Sequence, residues 1–314
     1  MEYPLTVAAL DIGGTKIAGA LVRYERTNSA PQVTAKRTVP TDAARGGAAV
    51  LETACEMAQA LVDEAAAAGT PVAGVGVSTA GRVDAQTGGI AYANEIMPGW
   101  TGQPVAQRLR ERCGVPAAVL NDVQAHGLGE ARWGAARGAD TCLMVAAGTG
   151  VGGAVIAHGR IVRGTHGFAG EIGHIPCVQA AGIPCVCGGS GHLESVAAGS
   201  GIEACYVRAG GEALTGGQIA ARAGAGEELA RRIIHQAGEA LGCAIAGLTN
   251  VLDPDMVIIA GSVPKAGPLW RTALRKGFEE QIPAAQRDLP FVDAALADDA
   301  PLVGAAEQLL DTLR

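Results

Sequence analysis

The chain has 314 residues, 48% hydrophobic and 18% charged, which is ample for a large core and excludes a disordered protein. Forty-six glycines without a Gly-X-Y period exclude collagen and imply many tight turns, while three Trp, four Tyr and three Phe leave an aliphatic, alanine-packed interior. A net charge of -7 is the wrong sign for a nucleic-acid binder, no apolar run approaches the roughly 20 residues of a membrane span, and no basic region opens the N-terminus, so the chain reads as soluble, cytoplasmic and two-lobed.

In chain order, residues 7–10 form a short apolar strand that runs into Asp11-Ile12-Gly13-Gly14-Thr15-Lys16. A second strand resumes over 17–22, so the two glycines mark a hairpin turn. Val50, Leu51, Ala54, Met57, Ala58, Leu61 and Val62 recur at helical spacing, and Gly69 closes that helix. Residues 72–77 read as a buried strand followed by a loop through Ser78, Gly81 and Asp84. A helix over 104–112 leads to a strand at 117–120. Residues 141–147 are apolar, Gly148-Thr149-Gly150-Val151-Gly152-Gly153 follows, and 154–157 form another strand. A strand, a Gly/Thr turn and a strand are therefore written twice. Residues 220–248 are mostly helical, and 256–260 are a buried strand ending in Gly261. Strands alternating with helices predict an α/β fold with a largely parallel sheet.

Glycine between two strands leaves backbone N–H groups uncovered, so such a turn can wrap a phosphate, and two such turns are more specific than one. Thr15 adds a donor, Lys16 a charge, and Asp11 a carboxylate able to hold Mg²⁺ through water. Asn121-Asp122 follows a buried strand and opens a helix, where a carboxylate meets the positive helix end; by position alone Asp122 also suits a helix cap. Cys55, Cys113, Cys142, Cys205 and Cys243 sit singly in apolar or helical patterns and read as small buried hydrophobes. Cys177, Cys185 and Cys187 cluster instead, flanked by His174 and His192, which points to a metal site and not to a disulfide framework. His126, His158, His166 and His235 lack such company and read as surface or structural.

Taken together, the two glycine turns, Glu171-Ile172-Gly173-His174 and Cys185-Val186-Cys187-Gly188-Gly189-Ser190-Gly191-His192-Leu193-Glu194 resemble the ROK family of sugar kinases, in order and over essentially the whole chain. The resemblance implies a two-lobed, actin-like (ribonuclease H-like) ATPase fold with a nucleotide and sugar cleft between lobes. Residues 1–121 plus 302–314 would form the small N-terminal lobe, onto which the final helix packs back, and 122–301 the large lobe with the zinc segment. It implies that Asp11, Gly13, Gly14, Thr15, Lys16, Gly148, Thr149, Gly150 and Gly261 serve ATP and Mg²⁺, and that Asp122 is the general base. Gly81, Asn94, Asn121, Asp122, Glu171, His174 and Glu194 would meet the sugar, although Glu95 and Met97 enlarge the usual Asn94 loop.

His174, Cys185, Cys187 and His192 supply four N/S ligands for a structural Zn²⁺; the family motif carries cysteine where His192 stands, and imidazole ligates zinc equally well. Cys177 is an alternative ligand. The implied reaction moves the γ-phosphoryl of ATP to the 6-hydroxyl of a hexose or N-acetylhexosamine, in a homodimer with no nucleic-acid or membrane partner. Glu171 resembles glucose-type members, whereas Asn121-Asp122-Val123-Gln124-Ala125 resembles N-acetylmannosamine kinases. A ROK-type sugar-responsive repressor is the rival reading, but such proteins carry a helix-turn-helix before the kinase-like body and only ten residues precede Asp11. A non-catalytic sugar-binding protein would not need Asp11, Lys16 and Asp122 together.

Overall fold

Both glycine turns join paired neighbouring strands in the computed structural model, which describes residues 3–94 and 97–314. The chain opens with strands β1 (Leu5–Ile12), β2 (Lys16–Tyr24) and β3 (Gln32–Pro40), then helix α1 (Gly47–Ala67). Next come β4 (Val72–Thr79), the short β5 (Arg82–Val83) and β6 (Ile90–Tyr92), α2 (Val105–Cys113), β7 (Ala117–Asn121) and α3 (Asp122–Trp133). The second turn lies between β8 (Thr141–Ala147) and β9 (Val151–Ala157), and β10 (Arg160–Ile161) follows. After a long loop come α4 (Glu194–Ala197), α5 (Gly199–Arg208), α6 (Gly216–Gly224), α7 (Glu228–Leu252), β11 (Met256–Ala260), α8 (Pro268–Gln281), β12 (Phe291–Asp293) and α9 (Ala300–Thr312). The helix expected over 220–248 is two helices, because Gly226 at φ 96° breaks the backbone between α6 and α7.

The described residues divide into two compact units. The first comprises the chain up to Gly138, Ile156–Ala169 and Ala294–Arg314; the second comprises Ala139–Val155 and Gly170–Asp293. Residues 122–138, 156–169 and 294–301, assigned from sequence to the large lobe, thus group with the N-terminal segment. The reason is packing: α3 lies on α9 so closely that a side chain at Gly304 would fall 1.7 Å from the Ala125 carbonyl.

Within the first unit the sheet order is β3-β2-β1-β4-β7, with β1 antiparallel to β2 and parallel to β4. Alternation along β1 fixes what each face buries. Ala8 and Leu10 join the core under α1 and α2, while Val7 and Ala9 join Leu302, Ala306, Leu309 and Leu310 of α9. The last helix therefore packs on the N-terminal sheet, as expected. In the second unit β9 (up to Val155), β8, β11 and β12 lie side by side in that order, and α5 to α8 cover Leu143, Val145, Val257 and Ile259. Neither sheet is largely parallel, since each hairpin adds antiparallel pairs (β1 with β2, β9 with β10) to a parallel set. No helix among the described residues is long and apolar enough to cross a membrane.

Candidate active site and metal centre

The first turn is held from below. Gly13 N–H donates to the Lys16 carbonyl at 3.0 Å, and the buried Thr41 hydroxyl donates to the Gly13 carbonyl at 2.5 Å. Thr41 N–H also donates to Thr15 O at 3.0 Å. Thr15 and Lys16 are exposed, and the Lys16 ammonium meets the exposed Asp298 carboxylate at 3.4 Å, a contact worth little in water. Neither Gly13 nor Gly14 adopts positive φ, so these glycines serve to uncover the turn and not to reverse the backbone. Asp11, next to last in β1, has its carboxylate accepting from the Ser78 hydroxyl at 2.6 Å; burial raises its pKa, opposed by that hydrogen bond and by Lys16. A half-buried carboxylate with one hydroxyl partner fits a place beside a hydrated cation. Ser78 and Thr79, read from sequence as loop, belong to β4.

Asp122 is the first residue of α3. The cap itself is Asn121, whose side-chain oxygen accepts from Val123 N and Gln124 N, so the alternative of Asp122 as the cap is corrected. The Asn121 amide donates to Asp122 Oδ1 at 2.8 Å and to the Gly81 carbonyl at 3.1 Å, and Val123 N–H donates to Asp122 Oδ1 at 2.9 Å. Burial, and then the charge of Asp11, push the Asp122 carboxyl up to about 6 despite those hydrogen bonds. Gly81 sits at φ 91° with the Tyr92 carbonyl 2.8 Å from where a Cβ would lie, so only glycine fits there. Thus Asp11, Gly81, Asn121 and Asp122 converge at the ends of β1, β4 and β7. Asn94 is exposed on the loop before Trp100, which is fully buried and donates from Nε1 to Thr79 Oγ1 and the Ala80 carbonyl, both at 3.2 Å. Glu95 lies outside the described residues; Met97 is buried.

In the second unit the second turn is exposed at Thr149 and clasped by α5. Gly199 N–H donates to Gly148 O at 2.8 Å and the Ser200 hydroxyl to Thr149 O at 2.8 Å. Gly261, at φ 101°, lies against the Ala147 carbonyl at the end of β8. Beside this turn is a cavity of about 650 Å³ whose lining includes Gly148, Thr149, Gly216, Lys265, Ile202 and Ile234. Gly150 is small for a different reason than expected: a Cβ would fall 2.5 Å from Glu194 Oε2, which accepts from Val151 N at 2.9 Å. Glu194, at the start of α4, therefore braces the turn.

The metal-ligating types gather as expected. His174, Cys185, Cys187 and His192 each offer one ligand atom, all within 4.8 Å of one another. Cys185 Sγ is 3.7 Å from His174 Nδ1, and Cys187 Sγ is 3.2 Å from His192 Nδ1. Two thiols and two imidazoles that close fit a tetrahedral zinc. Cys177 is not among them; its thiol lies 3.2 Å from Gln179 Oε1. The strand pairings Pro176 with His192 and Pro184 with Ser190 fold the loop on itself. His174 Nε2 faces the exposed Glu171 carboxylate at 4.0 Å, beyond direct hydrogen-bond reach. Of the single cysteines, Cys55, Cys142 and Cys205 are buried as expected, whereas Cys113 and Cys243 are partly exposed.

Thr41, Ser78, Ser200 and the cavity's Gly216 and Lys265 escaped sequence reasoning, because each reaches the site from far along the chain. The only local signal was the dipeptide Gly261-Ser262 after an apolar strand.

The ROK family model matches residues 7–311. The chain is 32% identical over 310 residues to a glucokinase of Halalkalibacterium halodurans, covering 94% of this chain and 92% of that one. It is also 32% identical over 305 residues to an N-acetylmannosamine kinase of Shigella flexneri, covering 96% and 97%. Among solved structures, a ROK hexokinase from Thermus thermophilus superposes with a TM-score of 0.86 at 31% identity, over 98% of this chain and 99% of that one.

Proposed function

Because the chain belongs to the ROK family, we propose that it is an ATP-dependent sugar kinase that phosphorylates the 6-hydroxyl of a hexose or N-acetylhexosamine, with glucose and N-acetylmannosamine the leading substrates. The observation that carries this reading is Asp122, a carboxylate with its pKa raised to about 6, fixed by Asn121 and Val123 beside Asp11. In the proposed reaction the sugar O6 attacks the γ-phosphorus of ATP, the O6–P bond forms as the bond to the β-phosphate oxygen breaks, ADP leaves, and the O6 proton passes to Asp122. Phosphoryl transfer asks the protein mainly for positioning and charge stabilisation. Mg²⁺ would neutralise phosphate charge, with Asp11 as the carboxylate of the first unit suited to hold its water shell.

The second unit's cavity suits a nucleoside: its lining combines apolar side chains, a glycine turn and Lys265. The backbone N–H groups of both turns suit phosphate oxygens. On the second unit, Glu171, His174 and Glu194 carry acceptors and a ring nitrogen suited to sugar hydroxyls; on the first, Asn121 and Asn94 carry amides suited to the same groups. Zinc at His174, Cys185, Cys187 and His192 would have a structural part, since four protein ligands leave no open position. Its consequence is order in the segment that carries Glu171 and Glu194. The named relatives support a kinase over a sugar-responsive repressor. The homodimer implied by the resemblance is open to sedimentation measurement.

Coupled ADP release, measured across glucose, mannose, N-acetylglucosamine and N-acetylmannosamine, tests the reading. At least one should turn over with ATP and lose turnover in Asp122→Asn. Absence of sugar-dependent ADP release from folded, zinc-loaded protein would overturn it.

A further inference from the structure

On the first unit, away from every residue assigned above, α3, α9 and the turn between β9 and β10 enclose a basin of about 780 Å³, within the size range of small-ligand sites. The acids in its wall are already engaged. Arg132 of α3 binds Glu307 Oε2 at 2.6 Å and Asp311 Oδ2 at 2.6 Å, and donates to the Gly159 carbonyl at 2.9 Å. Trp133 Nε1 takes the other Glu307 oxygen at 2.7 Å.

Three further arginines line the same basin with no carboxylate in ion-pair reach among the described residues: Arg137, Arg160 and Arg163. Arg137 stacks its guanidinium 5.1 Å over the Trp133 ring. Arg163 is half-buried, and burial pushes its guanidinium below the ordinary value, with Asp311 only partly opposing. The Tyr24 hydroxyl, 3% exposed in the same wall, faces the Glu307 carboxylate, and burial together with that charge raises its pKa. An arginine half-removed from water beside an acid already taken up by Arg132 is costly, and in a chain of net charge -7 three at one place are a local excess.

We propose that this basin binds the phosphate group of a small phosphorylated molecule. Several guanidinium forks match a compact dianion with three acceptor oxygens, whereas one would suffice for a carboxylate. The volume exceeds that of orthophosphate alone and leaves room for an organic remainder beside the Trp133 ring. The occupant would touch the far end of α3, whose twelve residues begin at Asp122, so binding reports on the helix that carries the proposed base.

The test is calorimetric titration of the full chain with its nucleotide cavity saturated by a non-hydrolysable ATP analogue and Mg²⁺. Orthophosphate, glucose 6-phosphate and tripolyphosphate are the probes, against chloride at matched ionic strength. At least one phosphate probe should bind, and Arg160→Gln with Arg163→Gln should weaken it roughly ten- to hundredfold, the scale of losing charge-assisted hydrogen bonds. In the absence of probe the double variant should keep the KM for ATP. Tighter glucose 6-phosphate than tripolyphosphate identifies a monoester as the ligand; the reverse order identifies a phosphate chain. Arg160 is exposed, so Arg160→Gln alone gives a folded variant should the pair destabilise the unit. Binding no stronger than that of chloride, or equal in wild type and variants, overturns the proposal. The readout needs no turnover, so this outcome is separate from the fate of the kinase reading.

Discussion

At the scale of single residues, Asp122 carries opposing demands that can be measured. An asparagine there would still accept from Asn121 and Val123 through its oxygen, so Asp122→Asn should fold and bind sugar. Its kcat should fall by about 10²–10⁴-fold, the usual size of general-base help, and retention of a tenth or more would remove the base assignment. A base must be ionised, so wild-type kcat/KM should decline as pH drops through about 6, a limb absent from the residual activity of the variant. Stability runs the other way. With a folded pKa above the ordinary carboxylate value, the native state holds more protons than the unfolded chain between pH 4 and 6, so stability falls as pH rises through that window. The cost is on the order of 3 kcal/mol above pH 6, and Asp122→Asn should therefore melt higher than wild type at pH 8 and show no such gain at pH 4. The glycine turns separate in a similar way. Gly14→Val should raise the KM for ATP and spare that for sugar. Gly150→Val collides with Glu194 and should raise both, so equal selectivity in the two variants would break the link between Glu194 and the second turn.

Among elements, the loop from His174 to His192 is folded by turn hydrogen bonds and two isolated strand pairings, with only short helical turns, and it carries four ligating side chains, so its order should depend on metal. About one zinc per chain should copurify, as for a closed four-ligand site. His192→Ala should release it, expose the loop to proteolysis and weaken sugar binding with little change in ATP affinity. His192→Cys should restore metal, protease resistance and sugar affinity together; a metal-free wild type with a protease-resistant loop would refute the dependence. This loop was legible in the sequence because its chemistry is local: Cys185, Cys187 and His192 span eight positions, and His174 is near. The hairpin turns were legible for the same reason. What connects distant stretches was not. Nothing near Asp11 marks Ser78 as its partner, nothing near Gly13 marks Thr41, and Arg137 and Arg163 carry no periodic signal that would place them in one basin. The mixed sheets escaped because periodicity reports burial and not strand direction.

For the molecule as a whole, the first unit is built from three separated stretches, and its sheet is incomplete as a folded layer until α9 arrives at the end of the chain. The face of β1 and β2 that presents Val7, Ala9, Ala20 and Val22 is covered by Leu302, Ala306, Leu309 and Leu310, so those strands cannot bury both faces without the last fifteen residues. Leu309 is fully buried there, and Leu309→Ala should cost about 2–5 kcal/mol, as for other well-packed core leucines. The urea midpoint should fall accordingly. Activity in native buffer should hold, because Leu309 touches none of Asp11, Asn121 or Asp122. Removal of residues 300–314 takes away the whole covering layer together with Glu307 and Asp311, which hold Arg132, and should leave no soluble, cooperatively folding first unit. A truncated chain that melts at the wild-type temperature with native activity would mean that the N-terminal sheet is stable without α9, and that the return of the chain to it is dispensable.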